Sequence, residues 1–288
     1  MSIRRLRGPD AALAAVLALL LAAPAGAEED CVPAHAVEDP APVLGLMGTI
    51  PIYWGEAGGV GDVLSGEAQP HWARATLEDR FTLRPLDRLD RESLAGLSYL
   101  LLAQPRAFSP AENVALDRWV REGGRLLLFA DPLMTGESRF PIGDRRRPQD
   151  VILLSPILDH WGLELFFAEN QPAGSRMVES AGPQIPVRLA GHFAAQNGDC
   201  RLESADVLAR CEIGDGAGIV LADAALLDFY GENLGARQAL TWLVDQAFPA
   251  SGKFTGRDGM RAGLPDNQEK SDICMVNSDA LPEGGPSG

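Results

Sequence analysis

Histidine is scarce in this sequence, four among 288 residues, and its four cysteines stand at irregular spacings. His35, His71, His160 and His192 are far apart, so neither set offers the clustered ligands of a structural zinc site. Long apolar runs are missing too: residues 11–23 form a stretch of 13, short of the roughly 20 that a membrane-spanning helix requires. Positive charge is in deficit, 25 Lys and Arg against 40 Asp and Glu, a net −15 that repels nucleic-acid phosphates and anionic lipid surfaces. Three catalytic signatures are also absent. No serine or cysteine stands on a glycine-flanked elbow after a strand, and neither G-x-G-x-x-G nor a P-loop lysine accompanies Gly55, Gly58, Gly59 and Gly61. These absences argue against serine or cysteine hydrolase chemistry, and no cofactor is expected.

What is present begins with an export signal. Arg4, Arg5 and Arg7 precede the apolar stretch, and Ala25-Gly26-Ala27 supplies small residues for cleavage, so residues 1–27 are expected to be removed. Leu6-Arg7-Gly8 lacks the bulky apolar pair of a twin-arginine signal, which favours the general secretory route. Glu28-Glu29-Asp30 before Cys31 disfavours a lipid anchor. Cleavage takes away three arginines and one aspartate and leaves the chain more acidic by two charges. In an oxidising, periplasmic setting Cys200 and Cys211 are expected to form a disulfide if the chain turns back between them, while Cys31 and Cys274 pair or remain free. Arg145-Arg146-Arg147 reads as a solvated loop.

Residues 28–41 are acidic and proline-bearing, and 250–288 are low in large apolar residues. Both are expected to be disordered, with one folded domain over 42–249. Inside it, apolar runs at 43–47, 97–103, 125–130 and 219–224 are too short for core helices and read as buried strands. The proline in residues 81–86 suits an edge strand. Between the strands, Ser109-Pro110-Ala111-Glu112 combines an N-cap, a first-turn proline and a capping-box glutamate, and Gly123 ends that helix. Ser155-Pro156 opens another helix, and Leu240, Leu243, Val244 and Ala247 mark a last one. This alternation predicts an α/β fold: an open, mostly parallel sheet with helices on both faces, as in flavodoxin-like proteins. Two apolar runs around Gly214-Asp215-Gly216 predict an antiparallel β-hairpin at one edge.

In such a sheet ligands bind beyond the carboxyl ends of the strands. That rim is predicted to carry Thr49, Tyr53, Trp54 and Glu56 after the first strand, Gln104 after the second, Asp131 after the third and Asp223 after the last. Aromatic groups beside convergent polar ones suit capture of a small molecule or a partner. The competing reading is a carboxylate-based hydrolase, with a divalent metal held by Glu56, Asp131 and Asp223 if they converge. The plainer reading is that Asp131 and Asp223 cap following helices or satisfy loop amides, and if Asp131 only caps a helix the hydrolase reading falls.

Residues 46–56, 97–103, 108–132 and 213–228 together resemble the GldG-like, class I glutamine amidotransferase-like domains, auxiliary components of uncharacterised ABC-type transport systems. The resemblance covers most of residues 42–249. It implies an amidotransferase-like α/β fold without the catalytic cysteine, in keeping with the empty elbow after Ala130. It also implies partners among inner-membrane transporter subunits. The chain departs from transporter-associated members in that nothing after Ala250 is apolar enough for a membrane helix. The expectation is a noncatalytic periplasmic binding or scaffold module.

Overall fold

The computed structural model describes residues 40–66, 70–196, 198–228 and 234–249. The expected signal peptide, nearly all of the linker, the tail, and Cys31 and Cys274 lie outside the described residues. All elements below belong to the unit Ala41–Gly288.

Five parallel strands form the centre: β1 (Val43–Gly48), β2 (Thr82–Pro85), β3 (Tyr99–Ala103), β4 (Arg125–Phe129) and the late strand β11 (Gly216–Leu221). Two antiparallel strands, β10 (Leu208–Ile213) and β9 (Cys200–Glu203), extend the sheet to the order β2-β1-β3-β4-β11-β10-β9. Leu100, Leu101 and Leu102 of β3 and Leu126 to Phe129 of β4 are all fully buried. Consecutive strand residues point to opposite faces, so both faces of the sheet are covered, as a continuous apolar run requires. The edge role expected for residues 81–86 is met by β2, whose Pro85 ends the strand.

The parallel strands follow the winding order 2-1-3-4-5, with a reversal between β1 and β3. Right-handed crossovers then place α2 (Trp72–Glu78) on one face and α3 (Arg91–Leu94) and α4 (Pro110–Arg121) on the other. The last helix, α6 (Leu234–Ala247), packs beside α2, and α5 (Ser155–His160) beside α4. A short helix, α1 (Val60–Ser65), follows the first strand. At the reversal β1 and β3 come so close that a Cβ on Gly48 would lie 1.9 Å from the Ala103 carbonyl oxygen.

The expected hairpin is β10 and β11, turning at Gly214, whose φ of +63° favours glycine. Its outer strand is covered in turn by β9, which sequence reasoning did not assign. Residues 163–195 hold two further antiparallel ribbons, β5 (Leu163–Phe167) with β8 (Gly191–Ala195) and β6 (Ser175–Val178) with β7 (Ile185–Arg188). The disulfide joins Cys200 and Cys211, directly opposite each other in β9 and β10. Replacing both cysteines with serine is expected to cost about 2–3 kcal/mol, since the bond closes a short loop in the unfolded chain. Urea denaturation of the mature protein would measure it.

Candidate binding rim at the carboxyl ends of the strands

The strand ends do bring Thr49, Gln104, Asp131 and Asp223 to one end of the sheet, but they turn their polar atoms inward. Gln104 is fully buried with φ +48°, a left-handed conformation that a non-glycine residue adopts at a cost. Its side chain works like an extra strand: Oε1 accepts the Asp131 amide at 2.8 Å and Nε2 donates to the Asp131 carbonyl at 2.9 Å. Nε2 also donates to the Gln149 carbonyl at 3.0 Å. Thr49 Oγ1 donates to the Gln104 carbonyl at 2.5 Å and accepts the Gln149 amide at 2.9 Å. Gln149 thus ties the loop between β4 and α5 to the ends of β1 and β3 at the switch point.

Asp131 and Asp223 are spent in the same way. Asp131 Oδ1 accepts the Leu133 amide at 2.8 Å and Oδ2 the Ala224 amide at 3.1 Å. Asp223 Oδ2 accepts the Arg188 amide at 2.8 Å and Oδ1 the Ala225 amide at 2.6 Å. A third carboxylate, Asp228, stands so near the loop that a Cβ on Gly136 would lie 2.5 Å from its Oδ1. Burial pushes Asp131 up to about 6, against the pull of the Leu133 and Ala224 amides and of Arg188. Burial and then the charge of Asp131 hold Asp228 up at about 7, and the same two causes raise Asp223 well above the usual carboxylate range. His71, whose Nε2 lies 2.6 Å from the Leu227 carbonyl oxygen, is lowered by burial.

Glu56 does not join these carboxylates. Its Oε2 accepts the Arg139 amide at 2.8 Å, and the Arg139 guanidinium donates to the Glu56 carbonyl at 3.0 Å. Arg146 donates to the Gly58 carbonyl at 3.0 Å while paired with Asp144 at 2.6 Å. Arg147 donates to the Phe140 carbonyl at 2.8 Å. The arginine run expected to be a solvated loop therefore ties the loop between β4 and α5 to Gly58 through Arg146 and to itself through Arg147. Among the described residues no group of three or more His, Cys, Asp or Glu is placed to hold a metal ion.

Beside the exposed charges of Glu137, Arg139, Arg145 and Arg146, this end of the molecule displays several large apolar side chains. Tyr53 packs its ring edge against Trp54 with centroids 4.6 Å apart, and the Arg74 guanidinium covers Tyr53 at 4.3 Å. Trp54, held from beneath in this way, is 54% exposed. Val60 and Leu64 of α1 and Ile142 of the loop between β4 and α5 are exposed too. Sequence reasoning found Trp54 but missed these three, Asp228 and His71. A groove of about 950 Å³ opens elsewhere, between α3 and α4 and the starts of β3 and β4, and contains none of the predicted rim residues.

Comparison with known proteins bears on this arrangement. A family model described as an ABC-type uncharacterized transport system matches residues 56–167, from the loop after β1 to the end of β5. The match supports the resemblance to auxiliary components of ABC-type transport systems. No curated protein matches the chain. Among solved structures, the mmIFT52 N-terminal domain is 15% identical over 71% of this chain and 96% of its own, with a TM-score of 0.43. A thua-like protein from Bacteroides uniformis is 12% identical, covering 75% of this chain and 96% of its own, with a TM-score of 0.41. The exo-beta-1,4-mannosidase Op5Man5 from Opitutaceae bacterium strain TAV5 is 14% identical over 72% of this chain, with a TM-score of 0.40, and this chain spans about a third (34%) of its length. At such scores these likenesses carry no argument about activity. No helix among the described residues is long and apolar enough to cross a membrane.

Proposed function

We propose that the chain acts in the periplasm as a noncatalytic binding or scaffold module, an auxiliary component of an ABC-type transport system, and that its carboxyl-end loops dock a transporter subunit. One observation carries this reading: the polar groups of the rim are consumed by the chain's own backbone, whereas Trp54 is held outward. Tyr53 and Trp54 are the contact residues. Thr49, Gln104, Asp131 and Asp223 form the frame beneath them, and Glu56 fixes the loop that carries them. A signal peptide over 1–27 and a single domain over 42–249, flanked by the linker and the tail, belong to the same proposal, and no cofactor enters it.

The hydrolase reading would need Glu56 beside Asp131 and Asp223, and Glu56 is held by Arg139 instead. The test is crosslinking of the tagged, exported protein in intact cells, followed by mass spectrometry. Recovery of inner-membrane transporter subunits is the expected result, and recovery of nothing above background would contradict it. Because Trp54 is exposed, Trp54→Ala is expected to reduce that recovery about tenfold or more with less than about 0.5 kcal/mol change in stability. Thermal melts run beside the crosslinking would detect a Trp54 that is instead needed for folding.

A further inference from the structure

Helix α4 has two apolar stripes. Leu116 and Val120 face the sheet and are buried. Ala111, Val114, Ala115 and Trp119, with Arg118 among them, recur at i, i+3, i+4, i+7 and i+8 on another face and line the groove of about 950 Å³. Leu94 and Arg91 of α3 form the facing wall. Val114 in the middle is 59% exposed. The side chains of Arg91 and Arg118 make no ion pair with a described residue, although acids outnumber bases 40 to 25 in this chain. Glu122 is the one acid in the lining. An apolar floor between two unpaired guanidiniums fits a short peptide that is apolar and acidic.

The chain itself carries such a peptide within reach. The described part ends at Pro249, whose carbonyl accepts the Tyr99 hydroxyl at 3.5 Å, while Phe248 packs on the Tyr99 ring with centroids 5.3 Å apart. Tyr99 is the first residue of β3, directly after Leu97 and Ser98, which line the groove. Residues 250–288 follow, and their longest apolar run is Ile273-Cys274-Met275-Val276, with Asp272 before it and Asp279 after it. The stretch from Pro249 to Asp272 can span up to roughly 75 Å when extended, far more than the end of one sheet. A tether of that kind gives an attached peptide an effective concentration of order millimolar, so modest contacts suffice.

We propose that residues 272–279 of this chain dock in the groove between α3 and α4, the apolar run on Val114 and Trp119 and the two aspartates toward Arg91 and Arg118. The occupant is thus the chain's own tail, not a second copy or another protein. The test uses the full mature chain with benzoylphenylalanine at position 114, and in a second preparation at 111. After irradiation, a product of monomer mass is expected, with the probe joined to the tryptic peptide that begins at Ser271. Arg118→Glu should lower the yield several-fold, and adding Asp272→Arg to that variant should restore it. A product of dimer mass, a cross-link to another protein or to a different segment, or no product from either position would overturn the proposal. The groove and Trp54 lie on different elements, so failure here leaves the reading of the rim standing, and failure there leaves this one.

Discussion

Truncating Glu112 to alanine is expected to lower the folding stability by about 2–3 kcal/mol, because one buried carboxylate serves four donors. Glu112 closes the capping box of α4: its Oε2 accepts the Ser109 amide at 2.9 Å, and the Ser109 hydroxyl accepts the Glu112 amide at 3.3 Å. Its Oε1 accepts the Leu89 amide at 3.2 Å, and both oxygens take the Arg106 guanidinium, at 2.6 and 3.0 Å. The Arg106 side chain is 41% exposed and can turn to water when its partner is lost. The Leu89 amide has less choice, and α4 loses its cap. The Arg106 guanidinium, ahead of the Ser109 and Leu89 amides, holds Glu112 down at about 2. Its folded pKa lies below the unfolded one, so its contribution is complete above about 4.5 and is lost as pH falls toward 2. The stability lost on Glu112→Ala should therefore be larger at pH 7 than at pH 3, which denaturant titrations of both chains at the two values would measure.

The aspartates around Asp131 produce the opposite slope at higher pH. Asp131, Asp223 and Asp228 bind protons more tightly in the folded chain than in the unfolded one. Their contribution is fully present below the unfolded value of 3.8 and is lost as pH rises through about 6 for Asp131 and about 7 for Asp228. His71, lowered by burial, acts in the other direction, with stability present above its unfolded value of 6.5 and lost below it, but it is one group against three. The melting temperature is expected to be several degrees higher at pH 5 than at pH 8. Asp228→Asn removes one titrating charge beside Asp131 and should flatten that slope while raising the melting temperature at pH 8. A slope unchanged in Asp228→Asn would mean that this carboxylate is solvated and that the cluster does not behave as a unit.

Where local chemistry decides structure, the residues announced it. Ser109, Pro110 and Glu112 specify the start of α4 because each answers a need of the first turn, and the apolar runs at β3 and β4 admit only a sheet covered on both faces. The end of each strand could likewise be read, and with it the positions of Thr49, Gln104, Asp131 and Asp223. What the positions do there was not legible. A glutamine after a strand reads the same whether its amide meets a ligand or, as here, the backbone of the next strand. Asp228 becomes a neighbour of Asp131 only because the chain returns through β11 and a short 3₁₀ turn at Ala225–Leu227. The ribbons within residues 163–195 escaped notice because their strands are four or five residues long and expose apolar side chains such as Phe166 and Met177. Trp54 could be read equally as core or contact until its support by Tyr53 and Arg74 was visible.

Trp54 is the proposed contact with a transport partner, and the most direct measurement places a photoreactive benzoylphenylalanine at position 54 of the exported chain in intact cells. Irradiation is predicted to join it to an inner-membrane transporter subunit, with no such product when the probe sits at position 114. Absence of a subunit cross-link from position 54 in a chain that still melts normally, or the same subunit captured from 114 alone, would contradict the account.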